Sequence, residues 1–299
     1  MREPLTDSHL NDLAALVARI EEHDSAPYRT LPVELAEYFT STSQVVGFWS
    51  DDTLIGYGAV RDPGEGLALR CSGGIDPDHR LAGLGDRIVQ WFIQAARELG
   101  QDRDEATMEI HVDEGNEDLR DILLRRGFAP AGGYVQMRRD LSRPRPKVEL
   151  PSFFAMEAWD SVQNTDIGRA YSDVFAGQGW EPNEEFFIPE WSFIVVDKRT
   201  DRTKLAGFLM SNKYEQDWQG VGWSEGYTET IGVLPEYRGL ALATNLLNRA
   251  ADAYAESGME YAGLDVNVDE DGQAELLALF TACEYQPVWH TDIYRRSID

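Results

Sequence analysis

Residues 73 to 100 and 231 to 258 carry one pattern twice, and this repetition limits the chain to a duplicated domain. GGIDPDHRLAGLGDRIVQWFIQAARELG aligns with IGVLPEYRGLALATNLLNRAADAYAESG, so that Ile75, Pro77 and Arg80 fall on Val233, Pro235 and Arg238 at an offset of 158. MEIHVDEG (108 to 115) then falls on LDVNVDED (264 to 271) at an offset of 156, and RGFAP on CEYQP at 157. Three segments in one order at a nearly constant offset exclude chance. A length of 299 residues suits two domains of about 150.

The join is legible in composition. Residues 137 to 153, MRRDLSRPRPKVELPSF, hold three prolines and a basic cluster. Prolines deny helix and favour an extended connection. The expected domains are therefore 1–145 and 146–299. In the first, an amphipathic helix near HLNDLAALVARIEEH follows the cap candidates Thr6, Asp7 and Ser8. Strands SQVVGFWS, LIGYGAVRD and LALRCSGGI come next, then a long helix from about Gly83 to Leu99. Strand MEIHVD, helix EDLRDILLRR and strand YVQMRRDL close the copy. The second repeats the order, with helices at 240 to 257 and 273 to 282 and a last strand VWHTDIYRRS. An early antiparallel meander with alternating helices predicts an α+β, three-layer α/β/α fold in each copy, its sheet mixed but mainly antiparallel.

Charge narrows the partners. There are 53 Asp and Glu against 27 Lys and Arg, a formal net charge of −26, and both halves are acidic. Such a field repels phosphate backbones and anionic lipid surfaces, so neither nucleic acid nor a membrane is expected as partner. Cys71 and Cys283 stand far apart, and no CxxC or HExxH spacing occurs, so no metal is expected. No run approaches the roughly 18 apolar residues that span a bilayer, and the first residues lack the apolar core of a signal peptide. A cytoplasmic protein, monomer or homodimer, is the expectation.

The turn between the fourth strand of each copy and its long helix carries the chemistry. It reads Arg80-Leu81-Ala82-Gly83-Leu84-Gly85 in the first copy and Arg238-Gly239-Leu240-Ala241-Leu242-Ala243 in the second. Small residues admit a ligand close to the backbone, and a helix start offers free N–H groups and its positive dipole end. Together they suit a pyrophosphate, with the arginine fixing the loop or adding charge. The first copy has two glycines there. Ala241 and Ala243 replace them in the second, which is tolerable where φ stays negative.

V-x-P-x-x-R-x-x-G-x-G/A, set in this strand order, resembles the GNAT superfamily of acyl-CoA N-acyltransferases over essentially the whole chain, as a tandem pair. The layout is similar to that of the mycothiol synthases. The resemblance implies that the loop after the fourth strand holds the pyrophosphate of acetyl-CoA, the expected co-substrate. It further implies that the fourth and fifth strands, ending near Val233 and Val268, splay to receive the pantetheine arm. Backbone groups near Ile231 and Val233, and Ile75 in the first copy, would pair with that arm and polarise the thioester carbonyl. Many relatives protonate the leaving thiolate with a tyrosine. Leu123 and Phe280 stand at that place in the two copies.

Acyl transfer to an amine needs a base. Strict alternation puts Glu225, Tyr227, Glu229, Ile231 and Val233 on one face of the fourth strand of the second copy. Glu229 is the first choice as base and Glu225 the second. Cys71 occupies the place of Glu229 in the first copy and is a poor base. On the fifth strands Glu109, His111 and Asp113 share a face, as do Asp265, Asn267 and Asp269. Glu109 with His111 is a further acid/base pair. The expected function is acetyl-CoA-dependent N-acetylation of a primary amine of a small metabolite by direct attack in a ternary complex, with the second copy catalytic. A narrower alternative is acetylation of an amino sugar–cysteine conjugate, and a different one is a non-catalytic acyl-CoA-binding module.

Overall fold

The computed structural model describes residues 1–64, 66–103, 105–160, 164–175, 185–199, 204–267 and 273–298. By contacts the chain forms two units. One comprises Met1–Tyr134, Asn267–Asp269 and Trp289–Asp299, the other Val135–Val266 and Glu270–Val288. The two are thus interleaved in sequence: unit 1 takes its final strand from beyond the main segment of unit 2.

Unit 1 runs β1 (Arg2–Pro4), α1 (Leu10–Asp24), α2 (Pro32–Ala36), β2 (Ser43–Ser50), β3 (Thr53–Arg61), β4 (Leu69–Ile75), α3 (Leu84–Leu99), β5 (Thr107–Asp113) and α4 (Glu117–Arg125). β6 (Ala129–Asp140) then leads into unit 2, which continues with β7 (Phe154–Ala158), α5 (Asn164–Val174), β8 (Phe193–Asp197), β9 (Lys204–Asn212), α6 (Trp218–Val221), β10 (Glu225–Val233), α7 (Leu242–Glu256), β11 (Tyr261–Asn267) and α8 (Gln273–Ala282). The last strand, β12 (Gln286–Ser297), pairs antiparallel with β5, from Thr291 opposite Asp113 to Ser297 opposite Thr107. Strand order is β1-β2-β3-β4-β5-β12 in unit 1 and β6-β11-β10-β9-β8-β7 in unit 2. Only β4 with β5 and β10 with β11 are parallel among the pairs whose register is described. This is the expected α+β fold.

Side-chain periodicity explains the layers. α3 buries Leu84, Ile88, Val89, Phe92, Ile93 and Ala96 in three- and four-residue steps, and α7 does so with Leu242, Leu246, Leu247, Ala250 and Tyr254. Each stripe packs on one face of its own sheet. The opposite faces are covered by α1 and α2 in unit 1 and by α5 in unit 2. Glycines permit the closest approaches: a Cβ on Gly226 would lie 2.3 Å from the Tyr254 ring. α7 begins at Leu242 rather than at residue 240, because Gly239 and Ala241 both have positive φ, +76° and +57°. Among the described residues no helix is long and apolar enough to cross a membrane.

β12 and the residue after it supply Tyr294 and Ile298 to the core under α3, and β12 satisfies the outer edge of β5. A fragment ending at Arg145 lacks both. It is expected to show no cooperative thermal transition by circular dichroism while the full chain shows one; cooperative melting of the fragment would prove β12 dispensable.

Candidate active site

In unit 2 the parallel ladder between β10 and β11 has three rungs, Glu225–Tyr261, Gly226–Ala262 and Tyr227–Gly263, and then stops. Both strands run on, so a gap opens between them. On its other edge β10 bulges: Thr228 faces Ser211 and Thr230 faces Met210, leaving Glu229 without an opposite number. The extra residue inverts the alternation. Ile231 and Val233 therefore join the core beneath α7 and do not share a face with Glu225 and Tyr227, contrary to the simple alternation expected from sequence. Thr228 also turns to the α7 side, where its hydroxyl meets Tyr254 Oη at 3.1 Å.

The face opposite α7 collects the ionisable groups. Tyr214 Oη donates to Glu229 Oε2 at 2.8 Å, and Asn212 Nδ2 reaches the same oxygen at 3.2 Å. Tyr214 packs edge-on to Tyr227, with 5.4 Å between ring centroids. Tyr227 in turn hydrogen-bonds Asp265. Burial pushes the hydroxyls of both tyrosines far up, so they act as donors. Glu225 has a different fate: it is buried in an ion pair with Arg138, and Trp223 Nε1 donates to it at 3.1 Å. Gly263 makes room for that pair, since a Cβ there would lie 3.1 Å from both Arg138 and Glu225. Glu229 and Asp265 still reach water, and neither has an ion pair among the described residues. Crowding by the cleft walls pushes the Asp265 carboxyl up to about 6; the Glu229 and Glu225 charges add to this, and Tyr227 and Arg138 oppose it.

At the end of β10 the loop residues follow in order. Arg238 Nε lies 3.4 Å from the Val233 carbonyl oxygen, and the guanidinium has no carboxylate partner among the described residues. Leu240 is half-buried against the core and Leu242 is buried in it, while Gly239 and Ala241 are exposed. Ala241 is the N-cap of α7 and gives no side-chain cap, the first turn holds no acidic residue, and Ala243 lies inside that turn. This helix start keeps its positive end free for an anion.

The corresponding loop in unit 1 is built alike and closed. Arg80 makes the same backbone contact, Nε to the Ile75 carbonyl oxygen, but both its terminal nitrogens lie 2.7 Å from the Asp24 carboxylate. Asp86 stands in the first turn of α3, paired with Arg126. Leu81 and Gly83 take the left-handed conformations that Gly239 and Ala241 take in unit 2, Ala82 lies exposed between them, and Leu84 and Gly85 begin the helix. β4 pairs with β3 without a shift in register, so Cys71 sits in a regular strand, buried, with its thiol pushed up by burial and by Glu109. The Glu109–His111 pair is present but occupied. His111 at 3.7 Å and an Arg295 hydrogen bond of 3.0 Å hold the Glu109 carboxyl down at about 2 against the effect of burial. Asp113 accepts from Tyr28 and Thr291.

The pattern that describes the acetyltransferase (GNAT) family matches residues 11–128 and again 156–284. The chain belongs to that family. Among solved structures, a GCN5-related N-acetyltransferase from Sphaerobacter thermophilus superposes with a TM-score of 0.76 at 17% identity, covering 100% of this chain and 95% of the other. A tandem GNAT protein from the clavulanic acid biosynthesis pathway gives 0.71 at 16%, covering 100% and 98%. A glucosamine N-acetyltransferase region of a fungal multi-domain β-N-acetylglucosaminidase gives 0.72 at 11%, covering 99% of this chain and 38% of that one. At such identities the likeness speaks for fold alone. A comparison with curated protein sequences finds no match.

Within this GNAT pair, Leu123 and Phe280, at the place of the family tyrosine, are buried in their cores and present nothing to a cleft. Val268 and Asp269 lie outside the described residues. No group of three or more His, Cys, Asp or Glu among the described residues could hold a metal. Sequence reasoning missed Asn212, Tyr214 and Arg138. The first two flank the end of β9 and have no motif, and Arg138 lies on the strand that crosses from the first repeat.

Ala241 holds a left-handed conformation that costs a residue with a Cβ about 1 kcal/mol, whereas Ala243 is helical. Ala241→Gly is therefore expected to stabilise unit 2 by about 0.5 kcal/mol and Ala243→Gly to destabilise it by about 1 kcal/mol. Chemical denaturation checks both, and equal losses would disprove the loop geometry.

Proposed function

We propose that the chain transfers the acetyl group of acetyl-CoA to a primary amine of a small molecule, in the cleft of unit 2. The observation that carries the reading is the contrast between the loops. Among the described residues Arg238 has no carboxylate partner, and it stands at an uncapped helix start with no acid in its first turn, next to strands that part after three rungs. Arg80 is held at both terminal nitrogens by Asp24. Residues 238 to 243 would hold the pyrophosphate with N–H groups and the arginine. The unpaired edge of β10 beyond Tyr227, near Ile231 and Val233, would take the pantetheine arm and point an N–H at the thioester oxygen.

Glu229 is the base. It is exposed in the cleft, at the bulge, and oriented by Tyr214 and Asn212. It removes one proton from the acceptor ammonium, and the freed lone pair attacks the thioester carbon. The C–N bond forms, the C–S bond breaks, and the second nitrogen proton leaves with the CoA sulfur. Glu225 is unsuited to that task, because it is buried and held in an ion pair by Arg138. Tyr227 lines the cleft and orients Asp265. Unit 1, with its loop closed and Cys71 in place of the base, serves as the structural copy.

Calorimetry of acetyl-CoA with the full chain is expected to give one site per chain. Arg238→Ala should weaken that binding about tenfold, the loss of one charge-assisted contact, and Arg80→Ala should not. Two equal sites would overturn the assignment of units. In a CoA-release assay across an amine panel, Glu229→Gln should lower kcat by a factor of about 10² or more with acetyl-CoA affinity retained. Full activity in that variant would remove Glu229 as base, and CoA binding without turnover on any amine would favour a binding module.

A further inference from the structure

The largest wholly buried side chain of unit 2 is a cation. Arg139 is 0% exposed. It follows Met137 by two residues on β6, and alternation sends both to the α7 face, whereas Arg138 points the other way to meet Glu225. Among the described residues the Arg139 guanidinium makes one hydrogen bond, from Nη1 to Asn248 Oδ1 at 3.3 Å. The Asn248 amide is fixed in turn, since its Nδ2 donates to the Pro146 carbonyl at 2.9 Å and ties the linker after β6 to α7. Nε and Nη2 of Arg139 are sealed from solvent and have no hydrogen-bond partner among the described residues.

A guanidinium does not shed its proton, so the charge persists however deep it lies, and burying it without a counter-charge is very costly. Nothing described supplies that counter-charge. No described carboxylate forms an ion pair with Arg139, and Asp252, one turn beyond Asn248 on α7, is taken by Arg145. Two guanidiniums thus stand with one carboxylate, and burial together with the Arg139 charge pulls the Arg145 pKa down. The field of Arg139 also reaches two weak acids, Cys283 and Tyr285, but burial pushes both up and keeps them neutral. A chain with a net charge of −26 therefore carries an uncompensated cation inside one of its units. Nε and Nη2 lie on one edge of the guanidinium and form a fork of parallel donors for an anion. Because that edge is closed to solvent, it suits a small monovalent ion. Phosphate or an organic acid would bring further oxygens that need water or donors of their own.

We propose that unit 2 holds a buried chloride, or another small monovalent inorganic anion, on the Nε–Nη2 edge of Arg139, taken up as the unit folds. The site is independent of the acetyl-transfer reading and of residues 238 to 243.

Crystals of the full chain soaked in sodium bromide should show an anomalous scattering peak at hydrogen-bond distance from Arg139 Nε and Nη2. A guanidinium with no peak beside it overturns the proposal. In solution, unfolding by urea, which adds no ions, should be followed at constant ionic strength while chloride replaces gluconate. Above the dissociation constant of the site, each tenfold rise in chloride is expected to raise the folding constant of unit 2 about tenfold. Arg139→Met removes the charge and keeps an unbranched apolar chain, so it should fold cooperatively and lose the chloride dependence. A dependence that persists in Arg139→Met, or a wild-type folding constant that ignores chloride, removes the site. If Arg139→Met does not fold, the bromide peak decides.

Discussion

The site depends on a parallel strand pair that can be held together for only three rungs. Backbone N–H and C=O groups left along a parted edge must find partners, and a ligand with an amide-bearing arm is one source of them. The parting of β10 from β11 beyond Tyr227 and Gly263 is sustained from the other side. The bulge at Glu229 re-aims β10, so that Ile231 and Val233 anchor under α7. The same inserted residue thus places a carboxylate in the cleft and fixes the strand end from which the anion loop starts. Loss of the bulge would put the apolar pair in the cleft and its carboxylate elsewhere.

Duplication lets the two copies diverge on one scaffold. The arginine of each loop touches the carbonyl of the strand end in the same way, so its backbone role survives in both. What differs is the anion it faces. In unit 1 the Asp24 carboxylate, at the end of α1, meets the guanidinium at both terminal nitrogens, the fork geometry that a phosphate would otherwise take. A paired carboxylate in the first turn of α3 lowers the appeal of that helix start further. In unit 2 these internal anions are missing among the described residues. For a chain with a net charge of −26, that local difference matters more than the global field, which opposes CoA everywhere and favours amines.

The acidic excess also reads differently once the ions are placed. Some of the acidic side chains are paired at the surface, where an ion pair contributes little. In the cleft, the charge is organised: Glu225 is buried and neutralised, Glu229 is oriented by two donors, and Asp265 is pushed up to about 6, chiefly by burial. Acid/base work and cation recognition need groups held in distinct states, and low-dielectric walls provide that separation.

Repeat, strand order, helix stripes and the anion loops were legible in the chain, because each is a local pattern of side-chain period, proline and glycine. Glu229 was legible as a candidate for the same reason: an acid near the end of the strand that leads into the anion loop. The face it shares was not. Alternation by two predicts that Ile231 and Val233 lie beside it, and only the register against β9 shows the inserted residue. Nor could the two glutamates be told apart, since the neutralisation of Glu225 comes from Arg138, 87 residues earlier on a strand contributed by the first repeat. The same holds for Asp24 on Arg80, an ion pair closed across 56 residues, and for β12, which completes a sheet whose other strands end long before it. Patterns of period and composition act between neighbours in the chain; ion pairs, register and strand exchange act between neighbours in space, and there the tertiary structure alone decided.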